Sequence, residues 1–350
     1  AGVTWNSKIL PVRVLGKGHV GSTSDIADGI VWAAGGAVPG APLNPNPAKV
    51  INLSLGGSGI CPTTEQNAIN LARSLGSIVV VAAGNENEDI ATHHPANCTG
   101  VISVAATTKT GALASYSNFG TGITIAAPGG DQSLGMADGV LSTLNAGVQG
   151  PGADTYAYYQ GTSMATPHVA AAVALMLSRN LSLTPSQVTS RLRVSAKLFP
   201  ADSQCIAYKC GAGMLDANRS AYAATVPIIG ETASANDSIA TAQLLTQTNV
   251  SVSGQISATT DKDYFKIALP AGKQLVVSMV PSDTAKDFDL ELVNGSGTRL
   301  ALSQRDTGET ERVSYTNTGA APVTVVVTTS PGRTAASPGV KCTRRPSRAR

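Results

Sequence analysis

The chain has 350 residues, of which 42% are apolar and 13% are charged, with 36 glycines and 19 prolines. This composition indicates a globular, turn-rich protein, and the length allows two domains. No apolar run approaches the roughly 18 residues of a transmembrane helix, so we expect no membrane association. The net charge is +3, but residues 332–350 hold six cationic side chains and no acid. The remainder is therefore acidic, and we do not expect nucleic acid as a partner.

The first informative segment is VINLSLGG at residues 50–57, which predicts a strand followed by two glycines. Ser54, Leu55, Gly56 and Gly57 leave this strand. Because glycine has no Cβ, an extended peptide can approach the backbone there and add as a further strand. Turn geometry alone is an alternative explanation of the glycines.

The next segment, SIVVVAAGNEN at residues 77–87, is continuously apolar and rich in β-branched residues, which predicts a buried parallel strand. It ends in Ala82, Ala83, Gly84 and Asn85. The side-chain amide of Asn85 is therefore expected at the carboxyl end of a central strand, where it can donate a hydrogen bond to an oxyanion. The simpler alternative is a turn residue after Gly84.

The segment GTSMATPHVAAAVALMLS at residues 161–178 predicts a long apolar helix that begins near Ser163. A helix N-terminus has free N–H groups and favours negative charge. A serine there can attack a carbonyl, and its own N–H can stabilise the resulting oxyanion. The alternative is an ordinary Gly-Thr-Ser cap on a core helix.

Two shorter helices are predicted after this one. Thr184, Pro185 and Gln187 form the pattern of a capping box with proline at the first helical position. Residues 211–224 supply the last helix, and residues 225–237 are rich in turn formers, which indicates a linker.

From residue 238 onward the apolar periodicity changes to two, which predicts a small β-sandwich domain at 238–331. The composition of residues 332–350 indicates a disordered basic tail. The predicted strands are VSVSGQI, DYFKIAL, QLVVSMV, FDLELV and VTVVVTT.

Five motifs occur in the order found in subtilisin-like serine proteases, and residues 1–224 resemble the secreted bacterial members of that family. The resemblance implies an α/β fold with a parallel sheet flanked by helices. It also implies acyl transfer from protein or peptide substrates to Ser163, an oxyanion held by Asn85, a monomer, and an extracellular location. Residues 238–331 resemble the bacterial pre-peptidase C-terminal domain. The five motifs are VINLSLGG, AAGN, ITIAAPGG at 123–130, GTSMATPHV and GAGMLDA at 211–217.

The family takes its aspartate and histidine from motifs that precede the serine, and the chain contains neither motif. Its beginning resembles the segment after the family's histidine helix, which implies a strand at 8–15 and a helix at 24–36. The family's aspartate strand would lie between the strands at 8–15 and 50–55. For the chain alone we therefore expect unpaired apolar edges, poor solubility and no measurable casein hydrolysis.

The four histidines do not supply a substitute base. His168 lies five positions after Ser163 on the same helix and so points away from it. His19 is expected in a surface loop. His93 and His94 are expected in a loop that borders the specificity pocket.

The resemblance also assigns the pocket walls to residues 54–57 and 82–84, with the bottom near residues 90–96. It implies two disulfides, Cys61–Cys98 and Cys205–Cys210, which suit an oxidising compartment. Half of a metal site is an alternative for the CIAYKC motif at 205–210. Cys342 remains without a partner in the tail.

Calcium is common in the family, so the acidic loops are candidates for it. One loop holds Glu86, Glu88 and Asp89, and another holds Asp131 and Asp138. We interpret these residues as solvated loop charges.

Two other functions are alternatives to an active protease. A non-catalytic subtilase-derived protein that binds through its β domain is the main alternative. An α/β-hydrolase esterase is rejected, because Met164 and Ala165 follow Ser163 where Gly-x-Ser-x-Gly is required, and no histidine follows His168.

Overall fold

A computed structural model describes residues 2–148, 150–205, 209–231, 236–247, 250–256, 261–281, 286–305 and 309–332. The chain forms two compact units: the first runs to Ile228 and includes Ser251, and the second begins at Ile229. This boundary lies inside the predicted linker at 225–237. In the described chain, no helix has both the length and the apolar character needed to cross a membrane.

The first unit is an α/β structure. Its α-helices are α1 Thr23–Ala33, α2 Thr63–Ser74, α3 Thr162–Arg179, α4 Pro185–Ser195 and α5 Ala217–Ala223. Its strands are β1 Val50–Leu53, β2 Gly57–Ser58, β3 Ile78–Ala82, β4 His93–His94, β5 Ile102–Thr107, β6 Ile125–Pro128, β7 Val140–Asn145 and β8 Asp154–Tyr159.

The central sheet is parallel, with strand order β1-β3-β5-β6. Every residue of β3 is buried because helices cover both faces of the sheet. Val79 and Val81 pack in the layer of α1 and α2, whereas Ile78 and Val80 pack in the layer of α3 and α4. The continuous apolar run therefore arises from two alternating sets of core residues, as predicted for a buried parallel strand.

The helix predicted at 24–36 is α1, and the long apolar helix is α3. The capping box of α4 is also confirmed: the Gln187 N–H donates to Thr184 Oγ1, and the Thr184 N–H donates to Gln187 Oε1. The β7–β8 hairpin was not predicted. Its residues are largely exposed, so it lacks the regular alternation of a half-buried strand.

The prediction of a strand at residues 8–15 is wrong. This segment has no strand conformation, although Val12, Val14 and Leu15 pack against the core near α1. A strand needs a hydrogen-bonded neighbour, and within the described part of the chain β1 pairs only with β3. An open cavity of about 590 Å³ lies between this segment, α1 and the loop at residues 38–42.

Both predicted disulfides, Cys61–Cys98 and Cys205–Cys210, are present. The first joins the chain just before α2 to the chain just before β5. The alternative of a metal site at Cys205 and Cys210 is therefore dropped. Cys342 and the tail lie outside the described residues.

The second unit is rich in β-structure. Four of the five predicted strands lie wholly in it, and the fifth, within VSVSGQI, lies in it apart from Ser251. The strand order of its main sheet is β10-β12-β17-β14-β15, while β13 pairs with β16 and β9 with β11. A shared apolar core, which includes Leu290, Val313 and Val325, joins the main sheet to the β13–β16 pair. The ranges are β9 Ile228–Gly230, β10 Gln243–Leu244, β11 Ser251–Ser253, β12 Asp263–Leu269, β13 Gln274–Met279, β14 Phe288–Asn294, β15 Arg299–Ser303, β16 Glu311–Thr316 and β17 Val323–Pro331.

Four strands of this region were missed. The predicted linker at 225–237 contains β9, so it is not wholly a connector. The others, β10, β15 and β16, are short or carry charged residues at their ends, which weakens their apolar alternation.

The two disulfides are expected to differ in their contribution to stability. Cys61 and Cys98 are 37 residues apart, and Cys205 and Cys210 are 5 apart. A disulfide lowers the entropy of the unfolded chain by an amount that grows with the length of the loop that it closes. Removing Cys61–Cys98 should therefore lower the free energy of unfolding by about 4 kcal/mol, and removing Cys205–Cys210 by about 2 kcal/mol. Urea unfolding of the Cys61→Ala/Cys98→Ala and Cys205→Ala/Cys210→Ala variants, followed by tryptophan fluorescence, measures both. Equal losses would contradict the prediction.

The stability of the second unit should fall as pH rises from about 5 to 7. Burial, aided by the hydrogen bond to Glu231 and nearby negative charge, raises the pKa of Asp263 to about 7. An unfolded aspartate titrates near pH 4, so in this window the folded state holds a proton that the unfolded state has released. Folding then becomes less favourable with rising pH, by on the order of a few kcal/mol.

Hydrogen exchange of the β12 amides across this pH range, corrected for intrinsic exchange, tests the claim. Asp263→Asn should remove the slope while the β5 amides of the first unit stay unchanged. A slope that persists in the variant would show that Asp263 is not its source.

Candidate active site

The carboxyl ends of β1 and β3 meet the N-terminus of α3. Ser54 follows β1, Asn85 follows β3, and Ser163 is the second residue of α3. The Ser163 hydroxyl lies 3.4 Å from the Ser54 carbonyl oxygen. The structure thus brings together three segments that are far apart in sequence.

Backbone geometry places Ser163 at the start of its helix. Gly161 is the N-cap, and its φ of +146° lies in a region that favours glycine. The helix buries Ala165, Val169 and Val173 against the sheet, so the orientation of its first turn is set by the core. Ser163 itself is half-buried.

A proline within α3 explains how Ser54 is attached to the helix. Pro167 has no N–H, so it cannot donate the usual helical hydrogen bond to the carbonyl four residues earlier, which belongs to Ser163. The Ser54 hydroxyl donates to that carbonyl instead, at 2.9 Å. The end of β1 is thereby tied to the nucleophile candidate itself.

The Asn85 side chain is fixed by the residue next to Ser163. Its Oδ1 accepts hydrogen bonds from the Thr162 N–H at 2.8 Å and from the Thr162 hydroxyl at 3.0 Å. Because a backbone N–H can only donate, the atom facing it must be the amide oxygen. The NH₂ group is on the other side of this exposed amide and donates to no described residue. The NH₂ group is therefore available as a hydrogen-bond donor at the N-terminus of α3.

The two predicted pocket walls, residues 82–84 and 54–57, differ in which of their groups are accessible. Ala82 and Ala83 are buried and Gly84 is half-buried, so this wall presents mainly backbone. Gly57 pairs with His94 in the β2–β4 ladder, so one edge of the 54–57 wall is already occupied. A Cβ on Gly57 would lie 2.9 Å from His94 Nε2, so a side chain at this position would have to displace the His94 ring.

His93 and His94 form strand β4 rather than a loop. His93 is buried, and its ring nitrogens face the carboxylates of Glu88 and Glu86 at 3.1 and 3.5 Å. His94 Nδ1 lies 2.9 Å from Glu65, a fully buried residue of α2. Sequence reasoning missed Glu65, because a glutamate in a first helical turn is usually solvated.

No histidine acts on Ser163 in this structure. All four lie within the described chain, and none forms a hydrogen bond with the Ser163 hydroxyl. His168 instead forms a hydrogen bond with the Met164 carbonyl oxygen at 2.8 Å through Nδ1.

The acidic loops do not form a cation cage. Asp131 is buried, so the solvated-charge interpretation is wrong for it. It accepts hydrogen bonds from the Ser115 N–H at 2.7 Å and from the Ser133 hydroxyl at 2.5 Å. Burial alone would raise the pKa of Asp131, but these hydrogen bonds outweigh burial and lower it. Across the described segments, no group of three or more His, Cys, Asp or Glu side chains is suited to a metal ion.

Comparison with known proteins places the first unit in a family. The subtilase family profile (peptidase S8) matches residues 1–219. The chain therefore belongs to the subtilases, a family of serine endopeptidases.

Individual relatives agree with this assignment. An extracellular protease of Xanthomonas campestris pv. campestris is 53% identical over 225 residues, which cover 64% of this chain and 37% of the relative. An extracellular basic protease of Dichelobacter nodosus is 42% identical over 222 residues, which cover 62% and 35%. A solved protease structure from Pseudoalteromonas arctica PAMC 21717 is 52% identical, covers 63% of this chain and 64% of that one, and gives a TM-score of 0.60. The chain thus spans little more than a third of the length of the first two relatives.

Gly84→Ala should destabilise the first unit more than Gly76→Ala does. Both glycines have positive φ, +106° and +88°, so both variants carry the backbone penalty of about 1 kcal/mol. A Cβ at Gly84 would also lie 2.2 Å from Asn118 Nδ2, whereas a Cβ at Gly76 meets no atom within 4 Å. The free energy of urea unfolding should fall by about 2 kcal/mol more for Gly84→Ala. Equal losses in the free energy of unfolding would show that the loop after β3 can shift to accommodate the added methyl group at no cost.

Proposed function

We propose that the protein is a secreted serine endopeptidase in which Ser163 attacks the scissile carbonyl and Asn85 stabilises the oxyanion. The observation that carries this proposal is the hydrogen bond between Asn85 Oδ1 and the Thr162 N–H, 2.8 Å long, directly beside Ser163. It leaves the amide NH₂ as a donor at the same helix N-terminus as the nucleophile. The names of the extracellular relatives support export.

In the proposed reaction the Ser163 hydroxyl gives its proton to a base as its oxygen bonds to the carbonyl carbon. The carbonyl oxygen becomes an anion and accepts hydrogen bonds from Asn85 Nδ2 and the Ser163 N–H. Protonation and departure of the amine leave an acyl-Ser163 ester, which water then hydrolyses. An extended substrate would lie between residues 54–57 and 82–84 and pair with the free backbone groups there.

The base for the first step is absent from the contacts of Ser163, since none of the four histidines reaches it. We therefore propose that residues 1–350 alone do not turn over protein substrates. The same observation favours the second candidate function, a subtilase-derived protein that binds through its second unit without catalysis. Reactivity at Ser163 separates the two.

The direct test uses the protein as its gene encodes it, incubated with casein and, separately, with a phosphonate or sulfonyl fluoride. Ser163→Ala should lower casein hydrolysis by about 10⁴-fold or more and abolish covalent labelling. Residues 1–350 alone should show no hydrolysis.

Ser178→Ala is the matched control, because Ser178 lies on the same helix with an exposed hydroxyl. It should leave hydrolysis and labelling unchanged. Full hydrolysis by Ser163→Ala would contradict the proposal, and binding without labelling or hydrolysis would favour the non-catalytic alternative.

A further inference from the structure

One short segment contacts both halves of the candidate site. Residues 116–118, here called the bridging segment, lie between β5 and β6. Tyr116 contacts the turn that precedes Ser163, and Asn118 contacts the loop that carries Asn85. Neither residue was singled out from the sequence, because a Tyr-Ser-Asn tripeptide in a loop carries no recognisable motif.

Asn118 uses its whole side chain to hold the loop after β3. It is fully buried. Its Oδ1 accepts hydrogen bonds from the N–H groups of Glu86 and Glu88, both at 3.0 Å. Its Nδ2 donates to the Ala83 carbonyl at 3.0 Å and to the Glu86 carboxylate at 2.8 Å. The side-chain amide is therefore fully engaged, and every partner lies within two or three residues of Asn85.

The Glu86 carboxylate connects Asn118 to the backbone of Asn85. The oxygen that accepts from Asn118 Nδ2 also accepts the Asn85 N–H at 2.8 Å. The Asn118 backbone N–H completes the attachment by donating to the Gly84 carbonyl at 3.1 Å. Asn85 is itself exposed, so core packing does not hold it. These hydrogen bonds hold its backbone, whereas Thr162 holds its side-chain oxygen.

Tyr116 holds the other half of the site. Its hydroxyl accepts the Gly161 N–H at 2.8 Å and lies 2.7 Å from the Gly130 carbonyl oxygen, to which it donates. Burial raises the pKa of Tyr116 above its usual value, so the hydroxyl stays neutral and can both donate and accept. Gly161 is the N-cap of α3, two residues before Ser163.

Ser117 anchors the bridging segment to the sheet. It is fully buried, and its hydroxyl accepts the Ala106 N–H at 2.9 Å while donating to the Asn118 carbonyl at 3.0 Å. Ala106 belongs to β5, the neighbour of β3 in the central sheet. The segment therefore has a rigid base from which Tyr116 and Asn118 reach the two halves of the site.

We propose that Tyr116 and Asn118 are positioning residues that together set the separation between the Asn85 amide and Ser163. The inference rests on the proposed function, in which these two groups act on one carbonyl. A donor that is displaced by a fraction of an ångström loses much of its stabilisation of the transition state, while substrate binding elsewhere in the cleft is hardly changed. The expected signature is a fall in kcat with little change in KM.

The test uses Tyr116→Phe and Asn118→Ser in the protein as its gene encodes it, with a peptide substrate. Each variant should lower kcat by about tenfold or more and change KM by less than about twofold. Tyr116→Phe keeps the aromatic ring, so it is the variant least subject to loss of folding. Tyr222→Phe and Asn317→Ser are the controls and should leave kcat unchanged.

The controls match the chemistry of the two test variants. Tyr222 is largely exposed on α5. Asn317 is as buried as Asn118 and braces a turn in the second unit, where its Nδ2 donates to the Leu269 and Ala321 carbonyls. Asn317→Ser therefore shows whether the loss of a buried asparagine in the second unit lowers kcat, and urea unfolding of Asn118→Ser reports any loss of stability in the first unit.

A double-mutant cycle with Asn85→Ala separates positioning from a merely structural role. Asn85→Ala should lower kcat by about 10²- to 10³-fold, a magnitude known from subtilisin. In that background Tyr116→Phe and Asn118→Ser should cost less than about threefold more, because the donor that they position is gone. The inference is overturned if Tyr116→Phe and Asn118→Ser lower kcat by the same factor in the Asn85→Ala background as in the wild type. It is also overturned if the two single variants are as fast as the wild type. In either case the role of Asn85 stands. Full activity of Asn85→Ala would overturn both.

Hydrogen exchange supplies a readout that needs no turnover. The amides of Glu86 and Glu88 should exchange at least about tenfold faster in Asn118→Ser, while those of β5 keep their wild-type rates. Unchanged exchange at Glu86 and Glu88 would overturn the inference regardless of activity.

Discussion

The site depends on one hydrogen bond, from the Thr162 N–H to the Asn85 side-chain oxygen. It uses one of the free N–H groups that every helix N-terminus has, and it fixes which end of the amide faces the helix. Since the oxygen is committed to Thr162, the NH₂ group remains to act as a donor beside Ser163. A substitution that reversed or loosened this amide would leave the serine in place without its partner.

The packing of the first unit explains why this contact can form. The strand before Asn85 is buried on both faces, and the helix after Gly161 buries one face from Thr162 to Leu177, so two well-packed elements define the positions of their ends. The site residues lie just beyond these ends, where the backbone turns. Pro167 adds a second restraint, because the carbonyl that it leaves without a helical donor is bound by Ser54.

Sequence reasoning predicted the elements whose patterns are set by burial. The β3 strand, the α3 helix, the α4 capping box and both disulfides were predicted, because continuous apolar runs, capping residues and paired cysteines each follow from local chemistry or from the family resemblance. The strand pattern placed Asn85 at the carboxyl end of a buried strand, whereas the expectation that Ser163 lies beside it came from the family resemblance. The roles of those residues remain proposals.

The features that sequence reasoning missed depend on contacts between distant residues. The strand at residues 8–15 was expected from the family resemblance, but this segment has no partner strand in the described chain, and a local resemblance does not reveal whether a partner strand is present. Glu65 became recognisable only through its contact with His94, and Asn118 only through its bonds to residues 83–88. Loop residues that act through side-chain hydrogen bonds leave no periodic trace in the sequence.

The most direct test of this account is a crystal structure of the protein after reaction with phenylmethanesulfonyl fluoride. We predict a sulfonyl group on Ser163 Oγ, with one sulfonyl oxygen about 2.7–3.1 Å from both Asn85 Nδ2 and the Ser163 backbone nitrogen. A modified Ser163 whose sulfonyl oxygens all lie beyond hydrogen-bond distance of Asn85 would contradict the shared site on which the account depends.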